Sequence, residues 1–210
     1  MPRTITANDL SESDFLTWYG RWESPEPTQV AGMLAGSGVR WWIAGGRAVD
    51  AASGTTREHD DTDVAIAADD LPALREHLSH LCLWQPRLGT LTPLFPGTEP
   101  GEGHEQLWAR ADADSPWLLD ILLTPVEGDE WLFKRDHAIR LPLSRAVRPV
   151  DGVPYLAPEV VLLHKARTIR PKDIRDFEVT VDHLDAEARR WLRDALDRHL
   201  PDHPWTSRLM

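Results

Sequence analysis

The chain of 210 residues has one cysteine, an excess of acid over base, and no long apolar run. A single cysteine, Cys82, excludes an intrachain disulfide and any cysteine-based metal cluster. Its expected role is that of a small buried hydrophobe. No apolar stretch approaches the ~20 residues that span a bilayer, so no membrane segment is expected. The N-terminal stretch MPRTITANDLSESDF has no apolar core of the signal-peptide kind, and the expectation is a cytoplasmic protein. Lys and Arg number 23 against 34 Asp and Glu, for a net charge of −11. Non-specific nucleic-acid binding draws on Lys and Arg contacts to phosphate, so a large nucleic-acid partner is disfavoured. A cationic small molecule fits the charge better, although the same charge also serves solubility. There is no internal repeat or low-complexity tract, and the sequence assigns no oligomeric state.

The length and a hydrophobic fraction of 41% suit one globular domain, with or without a small helical addition. Tryptophan is plentiful, at ten. Trp41, Trp42 and Trp117 sit in apolar runs and read as core. Trp18, Trp22, Trp108 and Trp131 are candidates for lining a pocket, with packing as the default role.

The organising stretch is residues 41–66, WWIAGGRAVDAASGTTREHDDTDVAI. It reads as strand, glycine turn, short helix, loop and strand. Gly45-Gly46 allows backbone amides to approach a phosphate, and the helix that follows adds a partial positive end. Asp61 and Asp63 are two apart, so on a strand they project to one face. Carboxylates held that close repel unless a cation sits between them, and Mg²⁺ is held by one or two carboxylates plus substrate phosphates. The bland alternative is an acidic turn ahead of a strand.

Gly45-Gly46, Asp50, Gly54, Arg57, His59 and Asp61-x-Asp63 together resemble the signature of the polymerase-beta-type nucleotidyltransferases. Within that superfamily the stretch is most similar to the aminoglycoside nucleotidyltransferases that adenylylate a 2″ hydroxyl. The resemblance covers residues 45–63. It implies an α/β (α+β) nucleotidyltransferase fold, a small mixed sheet backed by helices with a helical C-terminal segment. It implies transfer of AMP from ATP to a hydroxyl of a small, cationic, aminoglycoside-like acceptor, with release of pyrophosphate and a role in antibiotic resistance. Arg47 stands where those enzymes carry an aromatic residue, and residues 85–115 have no counterpart.

Along the chain, residues 27–37 read as a helix. Another starts near Pro72, capped by Asp69 or Asp70, with Leu71, Leu74, Leu78 and Leu81 as its stripe. Residues 85–104, rich in Pro and Gly, read as an irregular loop or weak hairpin, either a surface loop or a lid. Residues 105–112 and 116–124 are strand candidates, and residues 150–153 a hairpin turn. From Ala157 the composition turns helical, with a break at Ile169-Arg170. The implied domains are a catalytic domain over 1–156 and a helical segment over 157–210 packed on it.

Asp120 is an independent signal, because it lies in the continuous apolar run WLLDILL, as expected of a strand buried on both faces. A buried carboxylate must be paired or metal-bound. The resemblance makes Asp120 the third carboxylate of the metal site, and the alternative is a salt bridge to Arg110. The resemblance also makes Lys165 and Lys172 candidates for the triphosphate, against two solvated lysines. Arg57 is read as contacting phosphate or bracing the aspartates. A zinc site at His59 is weak, for want of a second histidine at a useful offset. Glu102, Glu105, Glu127, Asp129 and Glu130 are loop acids that face either a cationic acceptor or solvent. Two rivals remain: a toxin-type nucleotidyltransferase acting on tRNA, and a non-catalytic nucleotide- or partner-binding protein that kept the fold.

Overall fold

The structure, a computed structural model, describes residues 10–87 and 89–210. Residues 1–9, which carry part of the stretch read as lacking a signal core, and Leu88 lie outside the described residues. In chain order the elements are α1 (Glu12–Tyr19), α2 (Pro27–Leu34), β1 (Trp41–Ile43), α3 (Gly45–Ser53), β2 (Asp63–Ala67), α4 (Leu71–His77), β3 (Cys82–Arg87), β4 (Thr90–Leu94), β5 (Gln106–Arg110) and β6 (Leu119–Thr124). They continue with β7 (Val126–Glu127), β8 (Glu130–Phe133), β9 (Asp136–Pro142), α5 (Leu143–Ala146), β10 (Val147–Val150), β11 (Val153–Leu156), α6 (Pro158–Ala166), α7 (Pro171–Val181) and α8 (Ala186–His199). No described helix is long and apolar enough to cross a membrane. The contacts group the chain into two units. One holds the described residues up to Arg40 together with Asp60–Leu123, and the other holds Trp41–His59 with Thr124–Met210.

In the first unit the strands run in the order β2-β6-β5-β3-β4. Strand β5 alternates as its sequence demands: Leu107 and Ala109 are buried, while Gln106, Trp108 and Arg110 occupy the opposite face. The register pairs Trp84 with Trp108 and Trp108 with Asp120, so these three form a row across β3, β5 and β6. The N-terminal segment docks through a Trp22–Trp117 bridge and the Trp117 indole, which donates to the Tyr19 carbonyl at 2.6 Å. Trp108 packs edge to face against Trp22 and Trp117, with centroids 5.1 and 5.4 Å apart, and Trp22 lies tilted against Trp117 at 6.2 Å.

Of the two readings of residues 85–104, the hairpin holds in their first half, where β3 and β4 pair Gln85 with Thr92 and Pro86 with Leu91. Its prolines are tolerated for positional reasons. Pro93 is on edge strand β4, and Pro86 lies past the part of β3 that pairs with β5. Asp70 does not cap α4 with its side chain. Its carboxylate instead takes the Arg40 guanidinium at 2.8 and 2.9 Å, which holds its pKa below the usual value. Cys82, expected inside, is exposed at the start of β3.

In the second unit the order is β10-β11-β1. β11 pairs antiparallel with β10 and parallel with β1, which makes this a mixed sheet. Asp151 and Gly152 both have positive φ, 49° and 81°, the requirement of the tight turn read at residues 150–153. Strands β7, β8 and β9 form a separate three-stranded sheet. Trp131, a pocket candidate by sequence, is 1% exposed among Phe133, His164 and Trp191 and belongs to the core. Desolvation holds the His164 pKa down to about 3, so this histidine is a neutral packing residue. Helices α6 and α7 pack on α3. Pro158 and Pro171 occupy their first turns, as the composition suggested.

Candidate active site

Two groups of side chains, one in each unit, carry the residues singled out by sequence. The first is a carboxylate cluster. Thr62 is fully buried, and its hydroxyl donates to the Pro25 carbonyl at 2.9 Å. Extended-chain alternation about Thr62 puts Asp61 and Asp63 on the other side, although β2 proper begins only at Asp63. Asp120 lies on β6, the neighbour of β2 in the sheet order. One carboxylate oxygen from each of Asp61, Asp63 and Asp120 lies within 4.8 Å of the others.

Asp120 is 5% exposed. Burial, followed by the charge of Asp63 and then Asp61, pushes its pKa well above the usual carboxylate range, against hydrogen bonds that favour the charged form. The chief of these comes from Gln106, whose Nε2 donates to both oxygens, at 2.8 and 2.7 Å. The alternative partner, Arg110, points elsewhere. Its guanidinium carbon lies 4.1 Å from the Trp117 ring centroid and 5.0 Å from that of Trp84. A buried acid with two acidic neighbours and a neutral amide for a partner fits a hard divalent cation, which takes oxygen ligands and offsets all three charges.

The second group surrounds the start of α3. Gly45 has φ of +60°, and Ala44 at the N-cap offers no side-chain acceptor. The first amides of α3 therefore have no capping side chain. A Cβ on Gly46 would collide with Arg57 Nη2 and lie 2.7 Å from His59 Cε1, so these side chains lie across the first turn. Asp50 holds both. Its Oδ2 contacts His59 Nε2 at 2.8 Å and accepts from the Arg57 amide at 3.1 Å. An uncapped helix start beside an arginine has the chemistry to take an anion.

Arg57 Nη2 is 3.6 Å from Asp176, and Lys165 Nζ lies 2.8 Å from Asp176 and 3.0 Å from Asp173. Burial raises the Asp173 pKa, but hydrogen bonds from Arg170 and Lys165 outweigh it and bring the value to about 2. Asp173 thus contributes stability that is complete above its ordinary 3.8 and is lost as pH falls toward 2. The structure brings Gly45, Gly46, Arg57 and Lys165 into one linked group. It leaves Lys172 exposed and without an ion pair among the described residues. Gln106, a lone polar residue on a strand, carries no signal in the sequence, and helical spacing gives no sign that Asp173 and Asp176 hold Lys165.

Two predictions follow from this second group. Gly46→Ala should push Arg57 and His59 off α3 and raise the dissociation constant of a nucleoside triphosphate at least tenfold, read by calorimetry. An unchanged constant would separate these side chains from phosphate binding. Lys165→Met removes the cation that the buried Asp173 and Asp176 share and leaves Asp176 short of its nearest cation, and should cost about 3 kcal/mol or more in urea unfolding. Lys172→Ala should stay within about 0.5 kcal/mol of wild type.

The arrangement is that of the nucleotidyltransferase fold. The solution structure of the antibiotic-resistance factor ANT(2'')-Ia aligns over 81% of this chain and 89% of its own, with a TM-score of 0.53 at 17% identity. The crystal structure of ANT(2'')-Ia in complex with adenylyl-2''-tobramycin aligns over 82% and 98%, with a TM-score of 0.54 at 17% identity. The lincomycin-bound lincosamide antibiotic adenylyltransferase LnuA aligns over 78% and 99%, with a TM-score of 0.52 at 16% identity. At such identities the likeness shows the fold.

Residues 28–86 match the family model of aminoglycoside-2''-adenylyltransferase, which bears out the resemblance read from residues 45–63. The matched segment contains Gly45, Gly46, Arg57, Asp61 and Asp63 and stops short of Asp120, Lys165 and Lys172. No curated protein sequence matches the chain.

Proposed function

We propose that the protein is a Mg²⁺-dependent nucleotidyltransferase. It moves AMP from ATP to a hydroxyl of a small cationic antibiotic of the aminoglycoside kind and releases pyrophosphate. One observation carries this reading: three carboxylates whose oxygens lie within 4.8 Å of one another, one of them buried against a neutral amide. Asp61, Asp63 and Asp120 would hold the metal. When bound, Mg²⁺ neutralises triphosphate charge and keeps attacking and leaving oxygens in line.

The chain's own groups do the rest. The amides at Gly45 and Gly46 and the Arg57 guanidinium bind phosphate oxygens. Lys165 is a further phosphate ligand, which the triphosphate draws from Asp173 and Asp176. Asp120, made more basic by burial, takes the proton of the acceptor hydroxyl as it attacks. In this reading residues 1–156 form the catalytic domain, and the helical segment 157–210 contributes Lys165. The enzyme works in the cytoplasm, where ATP and Mg²⁺ are at hand.

The acceptor class is supported by the family match over residues 28–86 and by the net charge of −11, which suits a cationic substrate. The test is a screen of aminoglycosides, a lincosamide and total tRNA with ATP, GTP, CTP and UTP, following pyrophosphate. Release that needs both ATP and an aminoglycoside supports the proposal. Release with tRNA alone, or with no acceptor in the panel, contradicts it.

A further inference from the structure

We infer that Gln106 is the positioning residue of the metal site, the group that sets the rotamer in which Asp120 faces Asp61 and Asp63. The inference rests on the nucleotidyltransferase reading and adds a residue outside the segment matched by the family model, residues 28–86. Asp120 is nearly sealed from solvent. Its side-chain torsions must therefore be fixed by the protein, and the two acids nearest it repel it out of the cluster. A cation from the chain would do this, but the nearby arginine, Arg110, is committed to the Trp84 and Trp117 rings.

The register explains how Gln106 serves instead. On the β5–β6 pair Gln106 stands opposite Leu122, two residues along from Asp120, and its side chain reaches diagonally to the carboxylate. Such diagonal neighbours lie within reach of long side chains. Its amide nitrogen meets both oxygens, at 2.8 and 2.7 Å, and so fixes the carboxylate plane as well as its direction. Donation also decides the amide's orientation. Turned over, its oxygen would face two carboxylate oxygens. Each carboxylate oxygen has a second lone-pair site, so the same contact leaves Asp120 able to ligate a cation.

Neutral donors that orient a metal-binding carboxylate typically matter 10–100-fold in metal affinity or activity. Gln106→Met keeps the length and volume of the side chain and removes the donor. In the holo form with a non-hydrolysable ATP analogue, Mn²⁺ binding followed by electron paramagnetic resonance should weaken about tenfold or more. In turnover, kcat should fall by a similar factor while the KM for nucleotide stays within a few-fold. Gln106→His, which presents a ring N–H, should recover part of both losses.

The wild-type control separates the two readings. A wild-type protein that neither binds Mn²⁺ with the analogue nor turns over refutes the nucleotidyltransferase reading. A wild type that does both, beside a folded Gln106→Met protein that matches it within twofold in each, refutes the role of Gln106. If Gln106→Met melts early, the comparison passes to Gln106→His. Equal losses of Mn²⁺ affinity and thermal stability in both variants would mark Gln106 as structural and overturn the inference.

Discussion

Asp63→Asn is expected to lower turnover by at least about 10³-fold, or roughly 4 kcal/mol of transition-state stabilisation at 1.36 kcal/mol per tenfold. Asp63 opens β2, and its carboxylate is one of three whose oxygens lie within 4.8 Å of one another. Its replacement removes a full charge and one anionic oxygen ligand at the position that would hold the metal on the triphosphate. The amide is nearly the same size and stands at a partly exposed strand end, so the fold should persist. Circular dichroism and thermal melting check the fold, and steady-state pyrophosphate release checks the rate. A folded Asp63→Asn protein with near-normal turnover would remove the basis of the three-carboxylate site.

Asp120→Asn should abolish most of kcat, because the acceptor proton loses its base, and should weaken metal binding in the nucleotide complex about tenfold or more, because one of three carboxylate ligands is lost. The same substitution has a consequence for stability with a definite sign. The folded-state pKa of Asp120 is raised by burial and by Asp63 and Asp61. A raised carboxylate favours the fold below its unfolded pKa of 3.8 and costs stability as pH climbs above that value. Metal-free Asp120→Asn protein should therefore melt at or above the wild-type temperature at neutral pH. Added Mg²⁺ and nucleotide should raise the wild-type melting temperature more than the mutant's. A mutant that binds both substrates normally and turns over near the wild-type rate would make Asp120 a structural residue.

Much of the site was legible in the sequence because its chemistry is local. Gly45-Gly46 and Asp61-x-Asp63 are close in the chain, and period-2 geometry alone puts the two aspartates on one side. Asp120 was legible for a different reason, a charge inside an apolar run that no solvated position explains. What one strand does to its neighbour was not legible. Nothing in the sequence pairs Gln106 diagonally with Asp120 or turns Arg110 onto two indole rings, because both depend on the β5–β6 and β3–β5 registers. The β3–β4 hairpin was legible only as one of two alternatives, because its prolines, which the edge of a sheet accepts, suit a loop equally well. Asp70 looked like a helix cap because local sequence cannot show Arg40, thirty residues back, taking its carboxylate. Lys165 read as a free phosphate ligand because helical spacing shows neither Asp173 nor Asp176 closing on it.

The most direct test of the central claim follows the label from ATP tagged at the α phosphorus and, separately, at the γ phosphorus, in the presence of Mg²⁺ and an aminoglycoside. The α label should pass to the acceptor and the γ label should leave in pyrophosphate, and neither transfer should occur with Asp63→Asn. Transfer of the γ label to the acceptor, or no transfer by a folded wild-type protein with any acceptor in the panel, would contradict the claim.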